Sequence, residues 1–127
     1  MKVLKIEPRK KPETIDIDLD LESLQLTVDG FIQVIYPTDD PIAIVCDEEA
    51  KLTGKEPNRV LRDEEGDVYD ILCGDFLVVG LCEDDFMELT PELIEKYTEL
   101  FRHPEYFMRT SSGILLVRPD GHYELIG

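Results

Sequence analysis

The chain has 127 residues, 43% of them hydrophobic and 33% charged, with 29 acidic against 13 basic side chains and a formal net charge of −16. That apolar fraction excludes a disordered tail, and a chain of this length buries roughly two-thirds of its unfolded surface around one core. The charge disfavours direct contact with nucleic acid or an anionic membrane, and favours basic protein surfaces or cations.

The opening MKVLKIEPRKKPE alternates for only six residues before charge and proline resume, which is no signal peptide, and no run approaches the roughly 18 apolar residues of a spanning helix. A cytoplasmic address follows as an expectation. Cys46, Cys73 and Cys82 sit in or beside apolar runs, are odd in number and form no CxxC, so reduced structural thiols are expected.

In chain order, KVLKI predicts a half-buried strand leading into the basic loop PRKKP. ETIDIDLDL continues the period of two, with Ile15, Ile17, Leu19 and Leu21 on one face and Asp16, Asp18 and Asp20 on the other. A short helix follows, capped by Asp20, stopped at Gly30 and apolar at Leu21, Leu24, Leu26 and Val28. FIQVIYP and PIAIVC predict a strand pair joined by a tight turn. The polar stretch from Asp47 to Asp67 reads as a turn and a long surface loop, and FLVVGL as a strand covered on both faces. A longer amphipathic helix runs from Pro91 to about Arg102, with Thr90 as N-cap and Leu93, Ile94, Tyr97, Leu100 and Phe101 on one stripe. His103 is placed to cap its last carbonyls or answer its dipole. GILLVRPDGHYELIG predicts a C-terminal hairpin around a PDG turn. The expected architecture is one α+β domain over residues 1–127, with a mixed or antiparallel sheet of about five to seven short strands.

Motifs for chemistry are few. Asp16, Asp18 and Asp20 have the spacing of a calcium loop, but Leu21 stands where that loop needs Gly and Thr27 where it needs Glu. Asp40 followed by Glu49-Ala50-Lys51 has the order of a metal-dependent nuclease, yet the intervening strand sets the carboxylates up to about 30 Å apart. His103 and His122 have no metal-ligand spacing, and no nucleophile elbow or phosphate-binding glycine loop is present. No catalytic residue, metal ligand or cofactor is assigned.

Charge is unevenly spread. Residues 63–99 hold 13 acidic groups and one basic, residues 100–127 hold three of each, and the first twelve carry Lys2, Lys5, Arg9, Lys10 and Lys11 against Glu7. The candidate acidic interaction face is therefore Asp63, Glu64, Glu65, Asp67, Glu83, Asp84, Asp85, Glu88, Glu92, Glu95 and Glu99. Glu92, Glu95 and Glu99 step along their helix by about 4.5 and 6 Å, on the scale of DNA charge spacing.

The strings MKVLKIEPRKKPE, LESLQ, DGFIQVIYPTDDPIAIVCDEEAKLTG, PNRVL, DILCGDFLVVG and EDDF…LTPELIEKY together resemble the bacterial domain of unknown function 3846, from Met1 to about Phe101. The family's NEEGK-like turn has Gly where Ala50 stands and Asn where Asp47 stands. The resemblance implies a setting in phages and conjugative elements, with accessory roles such as counter-defence, and brings no catalytic residue. The leading expectation is a non-catalytic protein that engages a host protein through its acidic face. The alternative is a small-molecule binder that sequesters a host metabolite or signal, using Tyr36, Arg59, Arg62 and Tyr69 for stacking and anion binding. A third is a metal-dependent hydrolase built on Asp39, Asp40 and Glu49.

Overall fold

The run Phe76–Cys82 is buried from Phe76 through Gly80 on both sides, and a strand of that kind needs a layer on each face. The computed structural model describes residues 1–118 and 120–126. Its elements are β1 (Lys2–Ile6), β2 (Glu13–Asp16), α1 (Leu21–Val28), β3 (Ile32–Ile35), β4 (Ile42–Asp47), β5 (Pro57–Arg62), β6 (Val68–Cys73), β7 (Phe76–Cys82), β8 (Asp85–Met87), α2 (Pro91–Leu100), β9 (Tyr106–Thr110), β10 (Gly113–Val117) and β11 (Tyr123–Leu125). Every pairing is antiparallel, which gives an α+β fold.

The main sheet has the order β2-β1-β7-β4-β3, with β8 as its sixth strand on β7. β1 covers Phe76–Val78 and β8 covers Gly80–Cys82, so the two short strands follow each other along one side of β7. Gly80 permits this close approach, since a Cβ there would sit 2.6 Å from the Glu88 carbonyl oxygen. On one face Leu4, Ile44 and Val78 meet Tyr97 and Phe101 from the α2 segment and Leu61 and Leu72 from the β5–β6 hairpin. Phe76 and Phe101 pack edge to face at 5.4 Å, a geometry worth about 1 kcal/mol beyond area burial. On the other face Val3, Ala43, Val45, Leu77 and Val79 are covered by Leu24 and Val28 of α1.

Both helices carry the caps their sequences announce. The Asp20 carboxylate accepts from the Ser23 N–H at 2.8 Å, and the Thr90 hydroxyl accepts from the Leu93 N–H at 3.3 Å. Their apolar stripes are narrower than expected: Leu21 and Leu26 of α1 and Leu100 of α2 are exposed, because each helix has the sheet on one side only. The left-handed residue ending α1 is Asp29 (φ 56°) rather than Gly30. A Cβ on Gly30 would run into the Asp47 carboxylate, so Gly30 serves close approach.

Four strands were not expected. β5 falls within the predicted surface loop, and β6, β8 and β9 lie in stretches to which no strand was given. The C-terminal hairpin is present but widened by β9 into a three-stranded sheet, β11-β10-β9; Pro119 of its predicted PDG turn lies outside the described residues. Cys46 and Cys73 are buried, whereas Cys82 at the end of β7 is exposed, a correction to the expectation of three structural thiols. Burial pushes the Cys46 thiol up to about 11, so it stays protonated at neutral pH. Ala50 is buried and is not among the positive-φ residues, so the turn after β4 closes without the family's glycine.

Candidate functional site

β5 explains why a polar string folds as a buried strand. Asn58 donates to the carbonyls of Ile6 (2.9 Å) and Gly74 (2.8 Å), and its own oxygen accepts from Arg59 at 2.8 Å. The Arg59 guanidinium, 1% exposed, gives its remaining hydrogens to the carbonyls of Asn58, Lys10 and Phe101. All five of its donors are thus satisfied within the chain. Phe101, at the end of α2, is capped by Arg59 and not by His103, which is exposed.

Above this clamp lies a cleft of about 740 Å³, bounded by the β5–β6 hairpin, the end of α2 and β10. Its floor includes Leu61, Tyr97, Phe101 and Leu116, all buried. Arg62, Tyr69, His103 and Arg118 stand at the mouth. Arg62 donates to both Glu124 oxygens at 2.9 and 3.2 Å and to the Gly66 carbonyl at 2.7 Å, and Arg118 donates to the same two oxygens at 2.8 and 2.9 Å. Two guanidiniums therefore share one carboxylate. Together they hold the Glu124 carboxyl below its ordinary range, and Asp120 lines the cleft beside them, so two guanidiniums face two carboxylates at the mouth.

Glu105 lines the wall, where its carboxylate accepts from the Val60 N–H at 3.0 Å. Burial pushes that carboxyl up against the opposing pull of the Val60 N–H, Arg59 and Arg62. At the other end of the cleft the Tyr97 hydroxyl bonds Thr38 at 2.8 Å and Asp40 at 2.7 Å, and burial, reinforced by Asp40, pushes it up to about 12. It is a fixed hydrogen-bonding group and not an acid at physiological pH.

Of the residues singled out for ligand binding, Arg59, Arg62 and Tyr69 are brought together in this cleft. Tyr36 is not; it lies past β3, 66% exposed, and lines no part of it. Arg59 contributes field and floor rather than a free donor. Asp40 precedes β4 and Glu49 follows it, and Asp40 is engaged by Lys96 at 2.6 Å as well as by Tyr97, while Asp39 and Glu49 are exposed.

The eleven residues of the candidate acidic face are all exposed, but three supports divide them. Asp63, Glu64, Glu65 and Asp67 form the β5–β6 turn, Glu83, Asp84, Asp85 and Glu88 surround β8, and Glu92, Glu95 and Glu99 lie on α2. Among the described residues, Asp63, Glu65 and Asp67 are the one trio of possible metal ligands within 4.8 Å of one another. Asp63 already accepts the N–H groups of Glu65 and Asp67, as a solvated turn would. Asp16 and Asp18 are exposed beside half-buried Ile15 and Ile17, which gives the wet face of a strand and its continuation.

Arg118, Glu105 and Leu116 are cleft residues that the sequence does not mark, and His103, expected as a helix cap, stands at the cleft mouth instead. No local signal marks them, because the cleft gathers Pro37 and Thr38, parts of the β5–β6 hairpin, the end of α2 with the segment after it, and Leu116, Val117, Arg118 and Asp120. Among the described residues, no helix is long and apolar enough to cross a membrane. A family model described as Domain of unknown function (DUF3846) matches residues 1–102, which takes in the main sheet and both helices but not the C-terminal sheet. No curated protein and no solved structure matches the chain.

Proposed function

Because the chain belongs to the domain of unknown function 3846 family, whose description assigns no activity, its role has to be argued from the cleft, and we propose a non-catalytic binder of a small amphipathic anion. One observation carries this reading: a cleft of about 740 Å³ with a buried apolar floor and two arginines sharing one carboxylate at its mouth. That volume suits a ligand of drug-like size, and the arginines suit a carboxylate or phosphate whose apolar or aromatic body rests on the floor. The cytoplasmic accessory protein of a phage or conjugative element would use such a site to sequester a host metabolite or signal. Thermal-shift screening against nucleotides and aromatic carboxylates tests it. A true ligand at a hundred times its Kd stabilises the fold by about 2.7 kcal/mol, and Arg118→Ala abolishes the shift. Absence of any stabilising anion, or an undiminished shift in Arg118→Ala, rejects the reading.

A second reading is capture of a basic host protein, including one that binds DNA, by the acidic surface of α2. It is favoured by Glu92 and Glu95, which are exposed and have no ion-pair partner among the described residues. Replacing Glu92, Glu95 and Glu99 together by Gln should abolish partner capture from host lysate; unchanged capture removes this reading.

A further inference from the structure

Three carboxylates stand in or beside the cleft: Glu105 and Asp120 line it, and Glu124 bridges the two arginines at its mouth. Two of them are spent on their neighbours. Both Glu124 oxygens accept from the two guanidiniums, at 2.8 to 3.2 Å. Asp120 is turned to its own loop, where Oδ1 accepts the His122 N–H at 3.0 Å and Oδ2 lies 3.1 Å from His122 Nδ1. Glu105 differs. Its Oε1 accepts the Val60 N–H at 3.0 Å, while Oε2 has neither a hydrogen-bond nor an ion-pair partner among the described residues. No fully enclosed side-chain nitrogen or oxygen among those residues lacks a partner, so Oε2 is open to the space that Glu105 lines. A half-buried carboxylate pinned to β5 by one oxygen and offering the other to the cleft is an acceptor fixed in advance.

That acceptor constrains what the cleft can take. A ligand seated on Leu61, Phe101 and Leu116 keeps water from Oε2, and a buried carboxylate oxygen left without a donor is costly. An anion with no donor on its body is penalised at this wall, whereas one that places an N–H there is selected; unpaired polar groups discriminate more sharply than apolar fit does. At the mouth Arg118 uses Nη2 alone, which leaves its Nε and Nη1 hydrogens for the acid group. We infer that Glu105 is the specificity-determining residue of the cleft, and that the ligand is an anion whose aromatic ring carries an N–H donor, as an amino-substituted purine nucleotide or an indole carboxylate does. This rests on the reading of the cleft as an anion site and names the class of anion.

Two matched pairs of probes, titrated into the full chain by calorimetry and thermal shift, test it: adenosine 5′-monophosphate against purine riboside 5′-monophosphate, and indole-3-acetate against 1-naphthaleneacetate. Within each pair only the first member has a donor on its ring. In at least one pair the donor-bearing member binds roughly tenfold tighter or more. Glu105→Gln keeps an acceptor for the Val60 N–H but turns an amide donor toward the cleft, so the preference falls to about twofold or less while the variant still folds. Equal binding of both members to the wild type overturns the inference and leaves the anion site standing. A preference that survives Glu105→Gln also overturns it, since another group then reads the donor. Failure of all four probes and of every other nucleotide and aromatic carboxylate rejects the anion site itself, and the inference falls with it.

Discussion

The Arg59 guanidinium donates twice to the carbonyl of Phe101, from Nε at 3.3 Å and from Nη2 at 2.9 Å, and so ties β5 to the end of α2. The same group holds the Lys10 carbonyl at 2.7 Å, which fixes the basic loop to the core. Burial lowers the guanidinium's own pKa, yet the residue remains a cation with every donor paired. Arg59→Met should therefore cost about 3 kcal/mol or more in urea denaturation, because it strands buried acceptors on three segments. Arg59→Lys should recover less than half of that loss, since an ammonium cannot reproduce the planar fork.

Asp47 and Lys55 form a second clasp, with Nζ 2.7 Å from the buried carboxylate and also donating to the carbonyls of Val28 and Asp29. Burial opposes ionisation of Asp47, but Lys55 and the Glu49 N–H outweigh it and hold the carboxyl below its ordinary value of 3.8. A depressed carboxyl contributes stability that is present above the unfolded value and lost as pH falls through the folded one. Asp47→Asn should cost about 2 kcal/mol at pH 7, and the gap to wild type should close in acid below pH 3.8. Gly30→Ala should act at the same place by displacing the carboxylate, and its cost should shrink in the Asp47→Asn background.

Glu105 has the opposite sign. Its carboxyl is raised above the ordinary 4.5, chiefly by burial, so its contribution is fully present below that value and is lost as pH rises through the folded value. Glu105→Gln keeps an acceptor for the Val60 N–H and removes the charge. Melting temperatures of variant and wild type should coincide near pH 4 and diverge in favour of the variant toward pH 8. A constant offset across that range would mean that packing and not ionisation is responsible.

Replacing Glu92, Glu95 and Glu99 by Gln should change stability by no more than about 0.5 kcal/mol per site, since all three are exposed and only Glu99 has an ion-pair partner among the described residues, Arg102 at 3.5 Å. Thermal melts of the triple variant check this. A larger loss would mean that the helix face supports the fold, and loss of capture would then not report on a partner.

How far the sequence revealed this molecule depended on how local each signal was. The caps Asp20 and Thr90 lie one residue before their helices, and the apolar run of β7 is continuous, so these elements were legible. β5 was not, because Asn58 and Arg59 read as surface residues until their acceptors on Ile6, Lys10, Gly74 and Phe101 are known. The acidic tract misled in the other direction. Its continuity from Asp63 to Glu99 suggested one surface, whereas the hairpin packs on β4 and β9, β8 pairs with β7, and α2 lies over β1. Arg59, Arg62 and Tyr69 are legible as residues able to bind an anion, but their sharing a cleft with Arg118 depends on the C-terminal sheet, which places a residue 49 to 59 positions further along the chain beside them.

The central position of β7 also sets the order in which the chain can assemble. Its neighbours are β1, seventy residues earlier, and β4, more than thirty residues earlier, so neither side of the sheet can close until Phe76–Cys82 has been synthesised. Contacts of such long sequence separation slow folding, because chain entropy is lost before they form. Until then the β3–β4 and β5–β6 hairpins are the units able to form early, and β1 emerges with no partner but β2. Folding should therefore run on a timescale of milliseconds to seconds, with the apolar strands β1 and β4 exposed on the nascent chain while they wait for β7.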